Sequence, residues 1–267
     1  MSAQRLLVGF LLAAVCLGAI TVPWLFHLML LVIGLASLYE LNRLCEIKGT
    51  PLEYPVAVVA VAAYIVLASL DLLHKWEGVL LAATTLTAFV IGMYGEQQGY
   101  FARTAYTVLA TLYIGKLLTY FVFIRSIPET GLVWTFFAGV VISLTDISGM
   151  LVGTMIGRHQ LTRISPKKTV EGSLGALLIV TGLGALASMW PAMHLMWWQG
   201  AVMAATTCVA AQAGDLTESA LKRDAGVKDT GDAISGHGGV LDRFDSYLFG
   251  GTAFFAMLHV VGAVAIR

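Results

Sequence analysis

Between Gly214 and Ser246 the chain reads GDLTESALKRDAGVKDTGDAISGHGGVLDRFDS. Asp215, Glu218, Asp229, Asp242, Lys222, Arg223, Lys228, Arg243 and His237 stand here, with a run of glycines from Gly226 to Gly239. Carboxylates hold hard cations through oxygen, ammonium and guanidinium groups hold phosphate, and glycine backbone can bring amides close to a polyphosphate. Glycines alone are weak evidence, but their charged company strengthens it. The stretch lies between two apolar runs, where water-phase chemistry can meet lipid.

The spacing is informative. On a helix Asp215, Glu218, Ser219 and Lys222 fall at i, i+3, i+4 and i+7 and share one face. A solvated helix end would look similar, but Asp215 follows the apolar Val209-Ala210-Ala211 so closely that it belongs near membrane depth. Asp242 heads the next apolar run, so Asp215 and Asp242 end neighbouring elements on one boundary, where they could jointly hold cations. A second polar segment, Ser165-Pro166-Lys167-Lys168-Thr169 with Glu171-Gly172, places hydroxyls, ammonium groups and helix N-terminal amides together, a set that can hold phosphate. Its bland reading is a topology signal or a contact to anionic headgroups.

Two charges fall inside apolar runs. Asp146, among Ser143, Thr145 and Ser148, should face a polar cavity or a cation, and Lys116 could snorkel or reach an acid such as Asp146. Glu40, Asn42 and Arg43 are read as interfacial. Thr145, Gly149, Gly153 and Gly157 recur every fourth residue, a stripe for close helix packing.

The elements that must position these residues are membrane helices. The 267 residues are 58% hydrophobic and 12% charged, about half the charge of a soluble domain. The 16 basic and 16 acidic residues balance, so no global basic field points to nucleic acid. The fold class expected is an all-α polytopic membrane protein with about nine transmembrane helices, since a span needs about 20 apolar residues. They lie near 6–22, 24–42, 54–70, 78–95, 102–124, 131–156, 172–190, 193–214 and 243–266. Only Thr21-Val22-Pro23 divides the first two, which predicts a tight hairpin with Pro23 opening the second helix. With the N-terminus inside, Arg5, Arg43, Lys48, Arg103, Arg158, Arg163, Lys167, Lys168, Lys222, Arg223, Lys228 and Arg243 are cytoplasmic. Only Lys75, Arg125 and Arg267 lie outside. This bias places the C-terminus on the extracytoplasmic side and loops 157–171 and 215–242 in the cytoplasm. Trp24, Trp76, Trp134, Trp190, Trp197 and Trp198 fall near the opposite ends, as an aromatic belt. Cys16, Cys45 and Cys208 lack metal-ligand spacing and read as core residues. No cleavable signal is evident, so the first helix is expected to remain as an anchor. The chain reads as a single membrane domain, 1–267, with an N-terminal helical scaffold over 1–130 and a catalytic half over 131–267.

From Ser219 to Asp245 the chain resembles the phosphatidate cytidylyltransferase, or CDP-diacylglycerol synthase, family. The signature S-x-L-K-R-x4-K-D-x-G-x2-I-[PGS]-x-H-G-G-x-x-D-R-x-D is matched at every fixed position, from Ser219, Leu221, Lys222 and Arg223 through His237, Gly238 and Gly239 to Asp242, Arg243 and Asp245. Asp215–Glu218 and Ser165–Gly172 also look like family motifs. Ser235 stands where many members have Pro, which should loosen the turn, and Val170 where Trp is frequent, which bears on packing. The resemblance implies transfer of CMP from CTP to phosphatidic acid, giving CDP-diacylglycerol and pyrophosphate.

It implies Asp215 and Asp242 as ligands of Mg²⁺, with a second cation, K⁺ in the family. Lys222, Arg223, Lys228 and Arg243 would hold phosphates, and Asp229 would orient a lysine or a metal-bound water. His237 would donate to a phosphate oxygen or assist acid–base chemistry. Ser165, Lys167, Lys168 and Thr169 would contact the nucleotide or the lipid phosphate, with Asp146, Glu171, Glu218, Ser219, Gly238 and Gly239 also lining the substrates. The partners implied are CTP, phosphatidic acid, the bilayer of a bacterial inner (cytoplasmic) membrane and a second copy as homodimer. A cytidylyltransferase for a polyprenyl or ether-lipid phosphate would share the signature. A transporter would share the intramembrane Asp and Lys but would not require the Lys-Asp, His-Gly-Gly and Asp-Arg set.

Overall fold

A computed structural model describes residues 16–95, 98–190, 193, 195–231 and 238–263. Among them there is no β-strand, and Gln160 and Thr169 form an isolated antiparallel bridge. After a helical turn at 16–21, the elements are α1 (Pro23–Ile47), α2 (Tyr54–Ser69), α3 (Leu73–Gly92), α4 (Tyr100–Ala110), a π-helical segment (Thr111–Lys116), α5 (Leu117–Arg125), α6 (Gly131–Ile156), α7 (Val170–Ala187), α8 (Trp197–Asp224) and α9 (Leu241–Val260).

Local chemistry sets several boundaries. Val22 is extended (φ −112°, ψ 109°) and Pro23 opens α1, where its fixed φ suits a helix and its missing N–H costs nothing. Thr169 caps α7 by accepting the N–H of Gly172 at 3.1 Å. Among the described residues four helical stretches are long and apolar enough to cross a membrane: Pro23–Ile47, Tyr100–Arg125, Gly131–Ile156 and Val170–Ala187. The chain is an all-helical membrane protein in its described residues.

The chain divides into two compact units, Met1–Ser126 with Asp224–Arg243, and Ile127–Arg223 with Phe244–Arg267. In the first, α2 carries the fully buried Val61, Tyr64 and Ile65. A Cβ on Gly34 of α1 would stand 3.1 Å from Ile65 Cδ1 and from Leu118 Cδ1, and one on Gly115 would stand 3.1 Å from Val61 Cα. Gly115 thus lets the π segment approach the α2 backbone directly. Lys116, which ends that segment, pairs with Glu77 Oε1 at 2.6 Å and lies 5.2 Å from the Tyr120 ring centre. Its acidic partner is therefore Glu77. Lys116→Met is expected to leave turnover within about threefold of wild type and to cost about 1 kcal/mol, as for a partly exposed pair. Complete loss of activity in a folded, inserted variant would assign the lysine a catalytic role.

In the second unit the expected small-residue stripe does pack closely. A Cβ at Gly153 would sit 2.9 Å from Thr169 Oγ1, one at Gly172 would sit 2.6 Å from the Gly149 carbonyl oxygen, and one at Gly175 would sit 2.5 Å from Val152 Cγ1. The Gly149–Gly172 contact brings α6 and α7 to backbone distance. That contact places Asp146 of α6 on the same helix pair as the Thr169 end of the 157–169 loop.

Candidate active site

Asp146, Asp215 and Asp245 come from α6, α8 and α9 of the second unit and lie within electrostatic reach of one another and of Lys168. Close backbone approach brings two of them together: a Cβ on Gly214 would meet the Asp245 carbonyl oxygen at 2.6 Å. Lys168 Nζ pairs with Asp215 Oδ2. Asp245 is buried and takes the N–H of Ser246 at 2.5 Å. Three carboxyl groups thus face one ammonium, an oxygen donor set of the kind that takes a hard cation.

The charged face expected on α8 is present, since the helix runs unbroken to Asp224. It is not a solvated helix end, because Glu218 is only 1% exposed and pairs with Lys222 Nζ at 2.6 Å. Ser219 lies on the same helix, half-buried, and Arg223 is exposed with its Nε directed to the Ile164 carbonyl at 3.5 Å.

The segment before α7 is folded back on itself. Leu161 donates to the Lys168 carbonyl (2.8 Å), Lys168 to that of Ser165 (3.1 Å) and Val170 to that of His159 (2.9 Å). Glu171 closes it, accepting the N–H groups of Arg158 (3.0 Å) and His159 (3.2 Å) on Oε2 and meeting His159 Nδ1 at 2.5 Å. Glu171 thereby shapes the loop that presents Ser165, Lys167 and Lys168. Lys167 is exposed, while Ser165 and Lys168 are half-buried.

A second cluster belongs to the first unit. Asp242 Oδ2 accepts from Gly239 N–H (2.8 Å), Thr230 N–H (3.1 Å) and Thr230 Oγ1 (2.9 Å), reaching back over the start of α9 as in a capping box. Gly238 has φ +82°, a conformation that glycine adopts without strain. Lys228, Asp229 and Arg243 are exposed. Lys48 pairs with Asp224, which holds its ammonium above the usual lysine range. His237, with Ser235 and Gly236, lies outside the described residues.

Glu40, read as interfacial, is engaged by a distant part of the chain: it is 3% exposed, and its carboxylate accepts the N–H groups of Val240 and Leu241, each at 2.8 Å. Sequence reasoning gives no site role to three residues of these clusters: Glu40, Thr230 and Asp245. An acid inside an apolar helix is itself a site signal, and it was available for Glu40. Asp245 was visible as a signature position, whereas Thr230 had no signal of its own.

The donor chemistry fits a hard divalent cation, all oxygen and mostly carboxylate. Among the described residues no three His, Cys, Asp or Glu side chains form a ready cage.

A family model described as the cytidylyltransferase family matches residues 3–261. The chain is 34% identical over 253 residues to a phosphatidate cytidylyltransferase of Bacillus subtilis, covering 92% of this chain and 93% of that one. To the protein of that name from Staphylococcus epidermidis it is 32% identical over 229 residues, 84% of this chain and 85% of the other. To that of Synechocystis it is 49% identical over 125 residues, 45% of this chain and 41% of the other.

Proposed function

The chain belongs to the cytidylyltransferase family, and on that premise we propose that it transfers CMP from CTP to phosphatidic acid, yielding CDP-diacylglycerol and pyrophosphate. The observation that carries the reading is the agreement of a relative named for this reaction over nearly the whole length of both chains with a membrane helix bundle carrying a charged cluster. The enzyme is a nucleotidyltransferase of phospholipid synthesis.

The lipid phosphate oxygen forms a bond to the α-phosphorus of CTP, and the bond from that phosphorus to the bridging oxygen breaks as pyrophosphate leaves. Both reactants are anions, so alignment and charge neutralisation supply most of the acceleration. Lys167, Lys168, Lys222, Arg223, Lys228 and Arg243 are proposed to hold phosphate oxygens, and Ser165, Thr169 and Ser219 to donate hydroxyl hydrogen bonds. Glu218 fixes the Lys222 ammonium at 2.6 Å, which prepares it for a substrate anion at little entropic cost. Asp229 orients a lysine, Gly238 and Gly239 admit phosphate close to the backbone, and His237 donates to a phosphate oxygen.

Asp215 and Asp242 are each proposed as a carboxylate for Mg²⁺, with Asp146 near Asp215. Bound there, the ion would neutralise phosphate charge and stabilise the leaving pyrophosphate. The proposed topology has nine spans, the N-terminus and both polar loops on the cytoplasmic side of the inner membrane, and the C-terminus outside. The distribution of Lys and Arg supports it, and CTP is made on that side.

Purified protein in phosphatidate micelles with CTP and Mg²⁺ is expected to release CDP-lipid and pyrophosphate in equal amounts, and a chelator is expected to stop the reaction. No nucleotide-lipid from phosphatidate, with product from a polyprenyl phosphate in the same panel, would reassign the acceptor.

A further inference from the structure

Glu40 lies toward the C-terminal end of α1, among apolar neighbours, and its carboxylate is enclosed by another part of the chain. Oε1 accepts from Val240 N–H (2.8 Å), and Oε2 accepts from Leu241 N–H (2.8 Å) and Thr230 Oγ1 (3.0 Å). The first amides of a helix have no partner within it. At the start of α9 Glu40 takes the amides of Val240 and Leu241, and Asp242 takes that of Gly239 just before them. Hydrogen bonds to an ionised acceptor are the strong ones, and a buried carboxylate is tolerated only when so engaged.

Thr230 joins the two acids. Its Oγ1 lies 3.0 Å from Glu40 Oε2 and 2.9 Å from Asp242 Oδ2. A hydroxyl carries one proton, so Thr230 serves one carboxylate at a time. Gly239 lies against the same oxygens, for a Cβ there would overlap both Thr230 Oγ1 and Glu40 Oε2. Glu40 therefore fills the floor beneath the Gly238-Gly239 turn.

We propose that Glu40 is a positioning residue for Asp242: through Thr230 and the amides of Val240 and Leu241 it fixes the carboxylate that meets a hard divalent cation. The inference rests on the reading of Asp242 as a cation ligand. Glu40 itself touches neither substrate nor ion. Its removal should change how well Asp242 binds before any chemistry occurs.

Mn²⁺ titration of the full-length protein in detergent, followed by electron paramagnetic resonance without nucleotide or lipid, reads this directly. Asp242→Asn marks the part of the signal that belongs to Asp242. Glu40→Gln turns an acceptor into a donor opposite a backbone N–H, and is expected to raise that half-saturation roughly 10-fold or more, as when an outer partner of a metal ligand is lost. Thr230→Val should shift it in the same direction, and Thr230→Ser, which keeps the hydroxyl, should restore the wild-type value. An unchanged half-saturation in Glu40→Gln at wild-type melting temperature overturns the inference, as does the absence of any Asp242-dependent signal. If Glu40→Gln does not fold, equal values for Thr230→Val and Thr230→Ser overturn it. CDP-lipid formation by the same preparations separates the two readings. Wild-type protein that binds Mn²⁺ through Asp242 yet makes no CDP-lipid sinks the proposed reaction and leaves the Glu40 result to stand by itself.

Discussion

Asp215→Asn is expected to lower turnover by about 10²–10³-fold, the loss seen when one preorganised electrostatic group is removed from a polar active site. The replacement is nearly isosteric, keeps one carbonyl oxygen and removes only the charge, so α8 should keep its path. Its backbone is held independently of the side chain, by the close approach of Gly214 to the Asp245 carbonyl. Lys168 would lose its direct partner but would still face Asp146 and Asp245, which limits the structural damage. The loss should therefore appear in kcat with a melting temperature close to wild type. Titrating Mg²⁺ decides the role: recovery of near-wild-type turnover at saturating Mg²⁺ would show that Asp215 is not a ligand the reaction depends on.

Apolar run length is a strong signal where a span requires about 20 residues, and four of the expected runs are helices long and apolar enough to cross a membrane among the described residues. Gly131–Ile156 has the limits read from sequence, and α8 does continue through the charged face to Asp224. The spacing of Gly149 and Gly153 announced the close α6–α7 contact, since only small residues at that period allow it. The π-helical segment was not legible. Gly115 within it meets the α2 backbone at Val61, a tertiary contact that leaves no local pattern.

Partners of buried charges were equally hidden. Polarity near a membrane edge reads as interfacial by default, and Glu40 differs only because its ligands are 190 to 201 residues further along the chain. Charge is what singles out Asp215 and Asp242 among the signature residues. It passes over Thr230, whose single hydroxyl links two carboxylates. The neutral residues of such a site become visible only when the chain is folded.

Gly239→Ala is expected to reduce turnover by about 10²-fold or more, on the scale of losing a preorganised site group, although it changes no charge and adds one methyl. The site of that methyl is already filled by Thr230 Oγ1 and Glu40 Oε2. Relief requires the turn to lift from Glu40, which opens the 2.8 Å bonds to Val240 and Leu241, or requires Glu40 to withdraw and leave those amides unpaired. Either response displaces Asp242, whose Oδ2 is bonded to Gly239 N–H. Gly238→Ala provides the comparison. Its cost comes from a left-handed backbone, φ +82°, and a Cβ 3.0 Å from Asp242 Oδ2, a strain of roughly 1–2 kcal/mol. A non-glycine residue can bear that strain, so Gly238→Ala should retain more activity than Gly239→Ala. Turnover per folded molecule, with helicity checked by circular dichroism, measures both. The reverse order, or wild-type turnover in Gly239→Ala, would mean that Glu40 does not occupy the floor of this turn during the reaction.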